Sequence, residues 1–443
     1  MTMGNQTSAS LSKAPAKEAP SAGEKHKAST GLRHHNDTDH SSESTDNVSP
    51  VPVANSEGKA ADIDAGVVEK RSTVSSGSST LYIDLAAFRS NVTAMKALLG
   101  DAKLCAVLKS DAYGHGSMQL AKEAAAAGAD YIAVCDNVDA HRIRRAGVVL
   151  PLLRCRVARK EEVVAALDTD MEEMVGTLAD AQLCNAIGKA HGTRVPVHLN
   201  IDTGMGRQGF IDVEEAAQVF SLPWLAVKGV MTHFTSADEE DFSVTEDMAS
   251  LFDAKLSALR KAVGDAAMKN VIIHMANTAA TVRGGKPFFR DMVRVGAGLY
   301  GSTTDVHYVK LPQGFRPVMR WVTKVSQVRQ LAAGATVGYN RAYTITAPTA
   351  LIASLPVGFG EGYPRALANK GEVIIRGVTC PVVGRISMNV MNVDVSSCPN
   401  VEVGDEVLLL GPGMTADYLM DKCGSVHTEM QVNVGSRNRR VYL

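Results

Sequence analysis

Eight short β-rich runs alternate with amphipathic helical stretches between residues 104 and 296 of this 443-residue chain. The helical stretches, such as SMQLAKEAAAAG and TEDMASLFDAKLSALRKAVG, end in or near glycine, as helices commonly do. This alternation predicts parallel strands joined by crossover helices, and eight such units predict a (β/α)8 barrel. Functional side chains should then follow the carboxyl ends of the strands. The predicted strands are residues 104–109, 131–135, 151–155, 172–177, 194–201, 227–233, 271–275 and 292–296.

The sequence changes character on both sides of this region. After about residue 306, β-type runs such as TALIASLPVGF, GEVIIRGV and VGDEVLLLG replace the helical pattern and predict a mostly β second domain. Before the barrel, Ser, Ala, Lys, Glu, His and Asp dominate, and such a segment buries too little apolar surface to offset chain ordering. We therefore expect a disordered tail over 1–78, a barrel over 79–306 and a β domain over 307–443.

Charge and cysteine content narrow the possible ligands. The 46 Lys and Arg residues nearly balance the 47 Asp and Glu residues, so nothing indicates binding to nucleic acid or to an anionic membrane. No apolar run approaches the ~20 residues of a membrane span, and the N-terminus lacks the apolar core of a signal peptide. The 7 cysteines show no metal-binding spacing. We expect a cytoplasmic protein with a small ligand and no metal site; no function is assigned to the tail histidines His26, His34, His35 and His40.

The first predicted strand ends in AVLKSDAYGHG, which places Lys109 in an apolar run at the carboxyl rim of the barrel. Desolvation lowers the pKa of an amine and makes it a nucleophile, as a Schiff base with an aldehyde cofactor requires. A strand-end lysine paired with Asp111 is the simpler alternative. Tyr113, Gly114 and Gly116 follow, and they offer a hydroxyl group and close backbone approach to a phosphate.

The loops after the seventh and eighth strands predict a phosphate site, because barrel enzymes often bind phosphate there. These loops are HMANTAAT and VRVGAGLYG. Thr278 begins a short helical stretch, and the backbone N–H groups around Gly296 and Ala297 would complete a cradle. A threonine cap and a glycine-rich turn are also ordinary structural features.

Eight sequence segments resemble those of alanine racemases and occur in the same order: AVLKSDAYGHG, HLNIDTGMGRQGF, THFTSADE, HMANTAAT, MVRVGAGLYG, VGYNRAYT, LPVGFGEGY and GRISMN. The resemblance covers the chain from Leu81 to the C-terminus. It implies a barrel followed by a β domain, with pyridoxal 5'-phosphate as cofactor. It also implies head-to-tail homodimers in which each active site takes residues from the partner's β domain.

The resemblance assigns a two-base mechanism, because racemisation removes a proton from one face of Cα and delivers one to the other. Lys109 resembles the family's Schiff-base lysine, and Tyr339 resembles the opposing base of the other subunit. Arg294 resembles the arginine at the pyridine nitrogen; it keeps its proton, so the ring stays a weak electron sink. In the family, hydrogen bonds link the tyrosine to this arginine through positions that His233 and His274 resemble.

The remaining site residues are also implied by motif position. Arg207 resembles the residue that contacts the cofactor's phenolic oxygen and the substrate carboxylate. Met388 would offer a backbone N–H group to that carboxylate, and Arg385 would line the entrance. The positions that resemble other cofactor-binding residues of the family are Tyr113, His233, Asn277, Thr278, Gly296, Ala297 and Ser436.

Several positions depart from the common pattern. Asn200 replaces a lysine that is carbamylated in many alanine racemases, so its amide must hold Arg207 directly or with an anion such as chloride. Phe359 and Asn389 replace a tyrosine and an aspartate at the entrance, and Ser436 replaces a phosphate-binding tyrosine. Arg154 and Arg156 stand where the common enzyme is apolar, and we assign them, together with Asn200, to substrate binding. A surface ion pair is the simpler explanation for the two arginines.

Together these departures resemble the broad-specificity racemases, which also accept larger amino acids such as lysine, arginine, methionine or serine. Those relatives are often exported. A strict alanine racemase is the first alternative. A barrel-type amino-acid decarboxylase is disfavoured by Arg294, because such enzymes place an acid at the ring nitrogen. A non-catalytic pyridoxal-phosphate-binding protein would lack the second domain that carries Tyr339 and Met388.

Overall fold

The computed structural model describes residues 77–303, 305 and 307–443. The tail predicted over 1–78 lies outside these residues except for its last two, and so do its four histidines. The first elements are strand β1 (Ser79–Ile83) and helix α1 (Leu85–Leu99). Between them, Asp84 caps α1 by accepting a hydrogen bond from the backbone N–H of Ala87 at 2.7 Å.

Eight parallel strands close into a barrel in the order in which they occur along the chain. Each begins and ends within two residues of a strand predicted above, so the predicted barrel is confirmed. The strands are β2 (Lys103–Val107), β3 (Tyr131–Val134), β4 (Leu152–Arg154), β5 (Met171–Val175), β6 (Val195–Asn200), β7 (Leu225–Met231), β8 (Ile272–His274) and β9 (Met292–Val295).

Helices follow the barrel strands, and local signals fix their ends. The clearest case is the helix after β5, where Thr177 and Asp180 form a capping box and Gly192 ends the helix in the left-handed conformation. The barrel helices are α2 (Lys109–Tyr113), α3 (Ser117–Ala126), α4 (Asn137–Arg145), α5 (Lys160–Val164), α6 (Leu178–His191), α7 (Val213–Gln218), α8 (Ser243–Val263), α9 (Asp265–Met268), α10 (Thr278–Gly284) and α11 (Lys286–Phe289).

The second half of the chain is mostly β, as predicted. A nine-stranded sheet has the order β11-β14-β17-β16-β15-β18-β10-β1-β19, and β12 pairs with β13 separately. The strands are β10 (Met319–Lys324), β11 (Gln327–Ala332), β12 (Thr336–Val337), β13 (Tyr343–Thr344), β14 (Thr349–Leu355), β15 (Glu372–Ile375), β16 (Val378–Val383), β17 (Met391–Asp394), β18 (Glu406–Leu410) and β19 (Arg440–Tyr442).

Two features of this half were not predicted. Strand β1, which the sequence analysis assigned to the barrel, pairs with β10 and β19 and so belongs to the second sheet. Two helices, α12 (Ala416–Asp421) and α13 (His427–Arg437), interrupt the β pattern near the C-terminus. Within the described part of the chain, no helix is both long and apolar enough to cross a membrane.

Candidate active site

A cavity of about 560 Å³ opens at the carboxyl ends of the barrel strands. This volume lies in the range of small-molecule binding sites. Ten of the residues that the sequence analysis assigned to the site line it, although they come from five different strands and the segments that follow them. They are Lys109, Tyr113, Asn200, Arg207, His233, Asn277, Thr278, Arg294, Gly296 and Ala297.

Lys109 begins a short turn with unusual backbone geometry. It is the first residue of α2 and is separated from the end of β2 by Leu108, whereas the sequence analysis predicted it as the last residue of the strand. The four residues from Ser110 to Tyr113 have φ values of 53° to 55°, a left-handed turn without glycine. Left-handed backbone costs roughly 1–2 kcal/mol per residue, so surrounding contacts must hold this turn.

Carboxylates and an arginine hold the turn. Asp139 accepts a hydrogen bond from the backbone N–H of Asp111 at 3.0 Å, and Ser117 Oγ bridges both carboxylates at 3.1 and 2.9 Å. Arg440 of β19 pairs with Asp111 at 2.6 Å. Burial raises the pKa of Asp139 to about 6. Asp111 is thus engaged by Arg440, and the simpler alternative of a Lys109–Asp111 pair is not what the structure shows.

A cradle for an anion lies on the same cavity. The N–H groups of Gly296 and Gly298 donate to Thr278 Oγ1 at 3.2 and 3.4 Å, and Asn277 caps α10. A Cβ built on Gly296 would lie 2.5 Å from the hydroxyl oxygen of Tyr113, so only glycine allows this approach. The predicted phosphate-binding positions are therefore together at the N-terminus of a helix, where an anion is favoured.

Arg294 is buried at the cavity wall with 4% of its surface exposed. Its guanidinium donates to the Thr232 carbonyl at 2.6 Å, to His274 Nδ1 at 2.8 Å and to His233 Nδ1 at 3.1 Å. Asp291, which lies three residues before Arg294 in the sequence, accepts from the backbone N–H of Ile273 and does not pair with Arg294. Burial and the Arg294 charge lower the pKa of both histidines well below the usual value, so both are neutral.

Asn200 and Arg207 share one wall of the cavity but do not bond to each other in the described residues. The Asn200 amide donates to the carbonyl of Gln208, the residue that follows Arg207, and its Oδ1 is buried without a hydrogen-bond partner. The expectation that the amide holds Arg207 directly is thus corrected. The amide fixes the loop next to Arg207 instead.

The two arginines of the LLRCRV segment lie outside the cavity lining, contrary to the prediction that they bind substrate. Arg154 is completely buried, and its guanidinium donates to Glu173 at 2.7 and 3.1 Å. Arg156 pairs with Glu162. The reason is local: each arginine has a carboxylate within reach, so its donors are used within the barrel wall.

The predicted second base and its neighbours lie on an exposed face of the β domain. Tyr339 is 66% exposed and Met388 is 59% exposed, and neither lines the cavity. Their loops touch, since a Cβ on Gly338 would lie 2.6 Å from the backbone N of Arg385. The sequence grouped these residues correctly with each other, but a single chain does not bring them to Lys109.

Helix α13 contributes cavity residues that the sequence analysis missed. Asn433 lines the cavity, whereas the predicted Ser436 is exposed and donates to the Asn433 carbonyl at 3.0 Å. Gly435 lies against the Lys109 turn, because a Cβ there would be 2.0 Å from the Gly114 carbonyl. Helical spacing of the buried Met430 and Val434 was the available signal. The other α13 segment residues at the cavity are Val426, His427, Thr428, Glu429 and Val432.

Comparisons with known proteins agree with this arrangement. The family models for the N-terminal and C-terminal domains of alanine racemase match residues 83–304 and 318–442. The alanine racemase of Syntrophobacter fumaroxidans is 35% identical over 369 residues, which cover 82% of this chain and 96% of that protein. The broad specificity amino-acid racemase of Aeromonas hydrophila is 38% identical over 341 residues, 75% of this chain and 80% of that protein.

The structural comparison gives the same answer. The solved alanine racemase of Clostridium difficile 630 matches with a TM-score of 0.74 and 32% identity, and the match covers 83% of this chain and 96% of that one. The resemblance found in the sequence is confirmed. The chain belongs to the alanine racemase family of isomerases.

Proposed function

We propose that this protein interconverts the L and D forms of alanine and of larger amino acids, with pyridoxal 5'-phosphate as cofactor. One observation carries the proposal: a single cavity holds the Lys109 amine, the Thr278 cradle and the Arg294 guanidinium. These three groups suit the aldehyde, the phosphate and the ring nitrogen of that cofactor. The residues that line the cavity therefore fit pyridoxal 5'-phosphate.

Each of these residues has a defined task in the proposal. Bound pyridoxal phosphate would withdraw electrons from the substrate Cα and so acidify its proton. Lys109 would hold the aldehyde carbon, and Thr278 with the N–H groups around Gly296 would hold the phosphate. Arg294 would face the ring nitrogen of the bound cofactor and would keep its proton, because a guanidinium stays protonated. The cofactor would then withdraw only as many electrons as proton exchange needs, which disfavours decarboxylation.

The two bases come from two copies of the chain. Lys109 Nζ exchanges a proton on one face of Cα, and the hydroxyl of Tyr339 does so on the other. Because Tyr339 lies exposed and away from the cavity of its own chain, a second copy must supply it. A head-to-tail homodimer meets this need, and the Met388 backbone and Arg385 would approach the cavity from the same exposed face.

The cavity wall supports a broad substrate range. Met174, Met205 and Met231 line it together with Cys155. Methionine side chains are unbranched and flexible, so they adapt to ligands of different size. The similarity to a broad specificity amino-acid racemase points the same way.

Chiral chromatography of a panel of L-amino acids, incubated with the cofactor-loaded protein, tests the proposal. We expect D-alanine together with the D forms of lysine, arginine or methionine. Turnover of alanine alone would establish a strict alanine racemase. No turnover of any amino acid would refute the enzymatic role and favour a cofactor-binding protein.

The variant Lys109→Ala tests the cofactor assignment. It should lose racemisation and should no longer retain pyridoxal phosphate through gel filtration, because the group that holds the aldehyde carbon is gone. Lys103→Ala is the matched control, since Lys103 lies exposed at the opposite end of the same strand. Retained activity in Lys109→Ala would exclude the assignment.

A further inference from the structure

A continuous hydrogen-bonded chain crosses the barrel interior from Arg294 to Glu172. Arg294 donates to His274 Nδ1 at 2.8 Å, His274 Nε2 lies 2.9 Å from His198 Nδ1, and His198 Nε2 lies 2.6 Å from Glu172 Oε2. These residues come from β9, β8, β6 and β5. All four are buried, with 4%, 0%, 0% and 7% of their surfaces exposed. We call this set the Arg294–Glu172 chain.

The two ends of the Arg294–Glu172 chain determine which nitrogen of each histidine carries the proton. A guanidinium can only donate, so His274 Nδ1 must accept and His274 must carry its proton on Nε2. That proton is donated to His198 Nδ1, which leaves the His198 proton on Nε2, facing the Glu172 carboxylate. A doubly protonated His198 is excluded, because its Nδ1 would then face the N–H group of His274. The low pKa of His274 agrees with a neutral ring.

The barrel wall is built to allow this chain. Strand β7 lies between β6 and β8, and its Gly229 leaves the gap through which His198 reaches His274: a Cβ there would lie 2.2 Å from His198 Nδ1. The β6–β7 ladder also shifts register between Val197 and His198, opposite Gly229. Gly229 and the register shift therefore lie at the same place, next to the contact between the His198 and His274 rings.

Glu172 is the carboxylate that this network connects to the buried positive charge of Arg294. Among the described residues, no carboxylate forms an ion pair with Arg294, whose partners are carbonyls and neutral imidazoles. A buried charge without a counter-ion is unfavourable. The chain connects the guanidinium to a carboxylate through two rings whose dipoles point the same way.

We propose that Glu172 is a positioning residue, which fixes the tautomers of His198 and His274 and thereby orients Arg294 toward the bound ring. The role of Arg294 at the ring nitrogen rests on the proposed function; the tautomers do not. Glu172 accepts the last proton of the Arg294–Glu172 chain, so it holds the tautomers from one end while Arg294 holds them from the other. Without Glu172, reversal of both rings breaks only the hydrogen bond with Arg294. His274 would then present an N–H group to Arg294, and the guanidinium would turn away.

Neutron diffraction from crystals of the wild-type protein exchanged into D2O tests the tautomers directly. We expect deuterium on Nε2 of both His198 and His274 and none on either Nδ1. Deuterium on His274 Nδ1, or on both nitrogens of His198, would overturn the proposal. This measurement decides the matter even if a variant at residue 172 does not fold, and it does not depend on activity.

Variants at Glu172 test the effect on the cofactor. Glu172→Leu removes the acceptor, and its dissociation constant for pyridoxal 5'-phosphate, measured by equilibrium dialysis, should rise on the order of 10-fold. Glu172→Gln keeps an acceptor oxygen and should restore most of the affinity. Glu173→Gln is the matched control: it removes a buried carboxylate from the next position of β5, which pairs with Arg154 outside the chain.

The outcomes separate the two proposals. Equal weakening in Glu172→Leu and Glu173→Gln would indicate a general structural effect and would overturn the positioning role, as would unchanged affinity in Glu172→Leu. Failure of the wild-type protein to bind pyridoxal phosphate would refute the proposed function. The neutron result would still decide whether His198 and His274 carry the tautomers that the positioning role requires.

Discussion

The Arg154–Glu173 pair offers a direct test of whether Arg154 stabilises the barrel or binds substrate. The sequence analysis assigned Arg154 to substrate binding, whereas the structure buries it completely against Glu173. Glu173→Ala would leave a guanidinium inside the barrel wall without its counter-ion. This change should lower stability and leave substrate affinity unchanged.

The expected magnitude follows from the burial. Removal of one partner of a buried ion pair costs about 3–5 kcal/mol. For a chain of this size, each kcal/mol shifts Tm by about 1–2 °C, so Tm should fall by about 3–10 °C. The double variant Arg154→Leu/Glu173→Leu removes both charges. It leaves only the Cys135 carbonyl and Asn137 Oδ1 without their donor, at a cost of about 1–3 kcal/mol.

Two measurements check this reasoning. One is thermal unfolding by circular dichroism, at one scan rate for all variants, and the other is KM for alanine and lysine. We expect the double variant to be more stable than Glu173→Ala and both to keep wild-type KM values. An unchanged Tm in Glu173→Ala, combined with a raised KM in the double variant, would refute it. Arg154 would then bind substrate after all.

Two further predictions concern the turn and the cradle. Gly296→Ala should weaken pyridoxal phosphate binding at least tenfold in equilibrium dialysis, because its Cβ would lie 2.5 Å from the Tyr113 hydroxyl; unchanged affinity would contradict the placement of the cradle. Burial raises the pKa of Asp139 from 3.8 to about 6, so the folded state disfavours its charge. Its contribution to stability is therefore lost as pH rises from about 4 to about 6. Urea unfolding across this range should show a steeper loss in wild type than in Asp139→Asn, and parallel curves would refute the assignment.

The sequence predicted the parts of this molecule that depend on local pattern. The eight barrel strands are short apolar runs between helical stretches, and each was located within two residues. Lys109 and Thr278 follow these strands, so the barrel rule alone brought them to one rim, whereas Arg294 was assigned to the site through the family resemblance.

The parts that could not be predicted depend on distant partners. Nothing in the residues Ser110 to Tyr113 signals a left-handed turn, because the contacts that hold it come from Asp139 and Arg440. The burial of Arg154 likewise depends on Glu173, 19 positions away on the next strand. The place of β1 in the second sheet is set by its pairing with β10, which lies more than two hundred residues later.

The central claim is that each active site combines Lys109 of one chain with Tyr339 of another. Mixing the inactive variants Lys109→Ala and Tyr339→Phe, with subunit exchange, tests it most directly. Half of the dimers would then be mixed, and each mixed dimer would have one complete site. We expect about one quarter of wild-type racemase activity to return. No recovery from a mixture shown to exchange subunits would contradict the shared site.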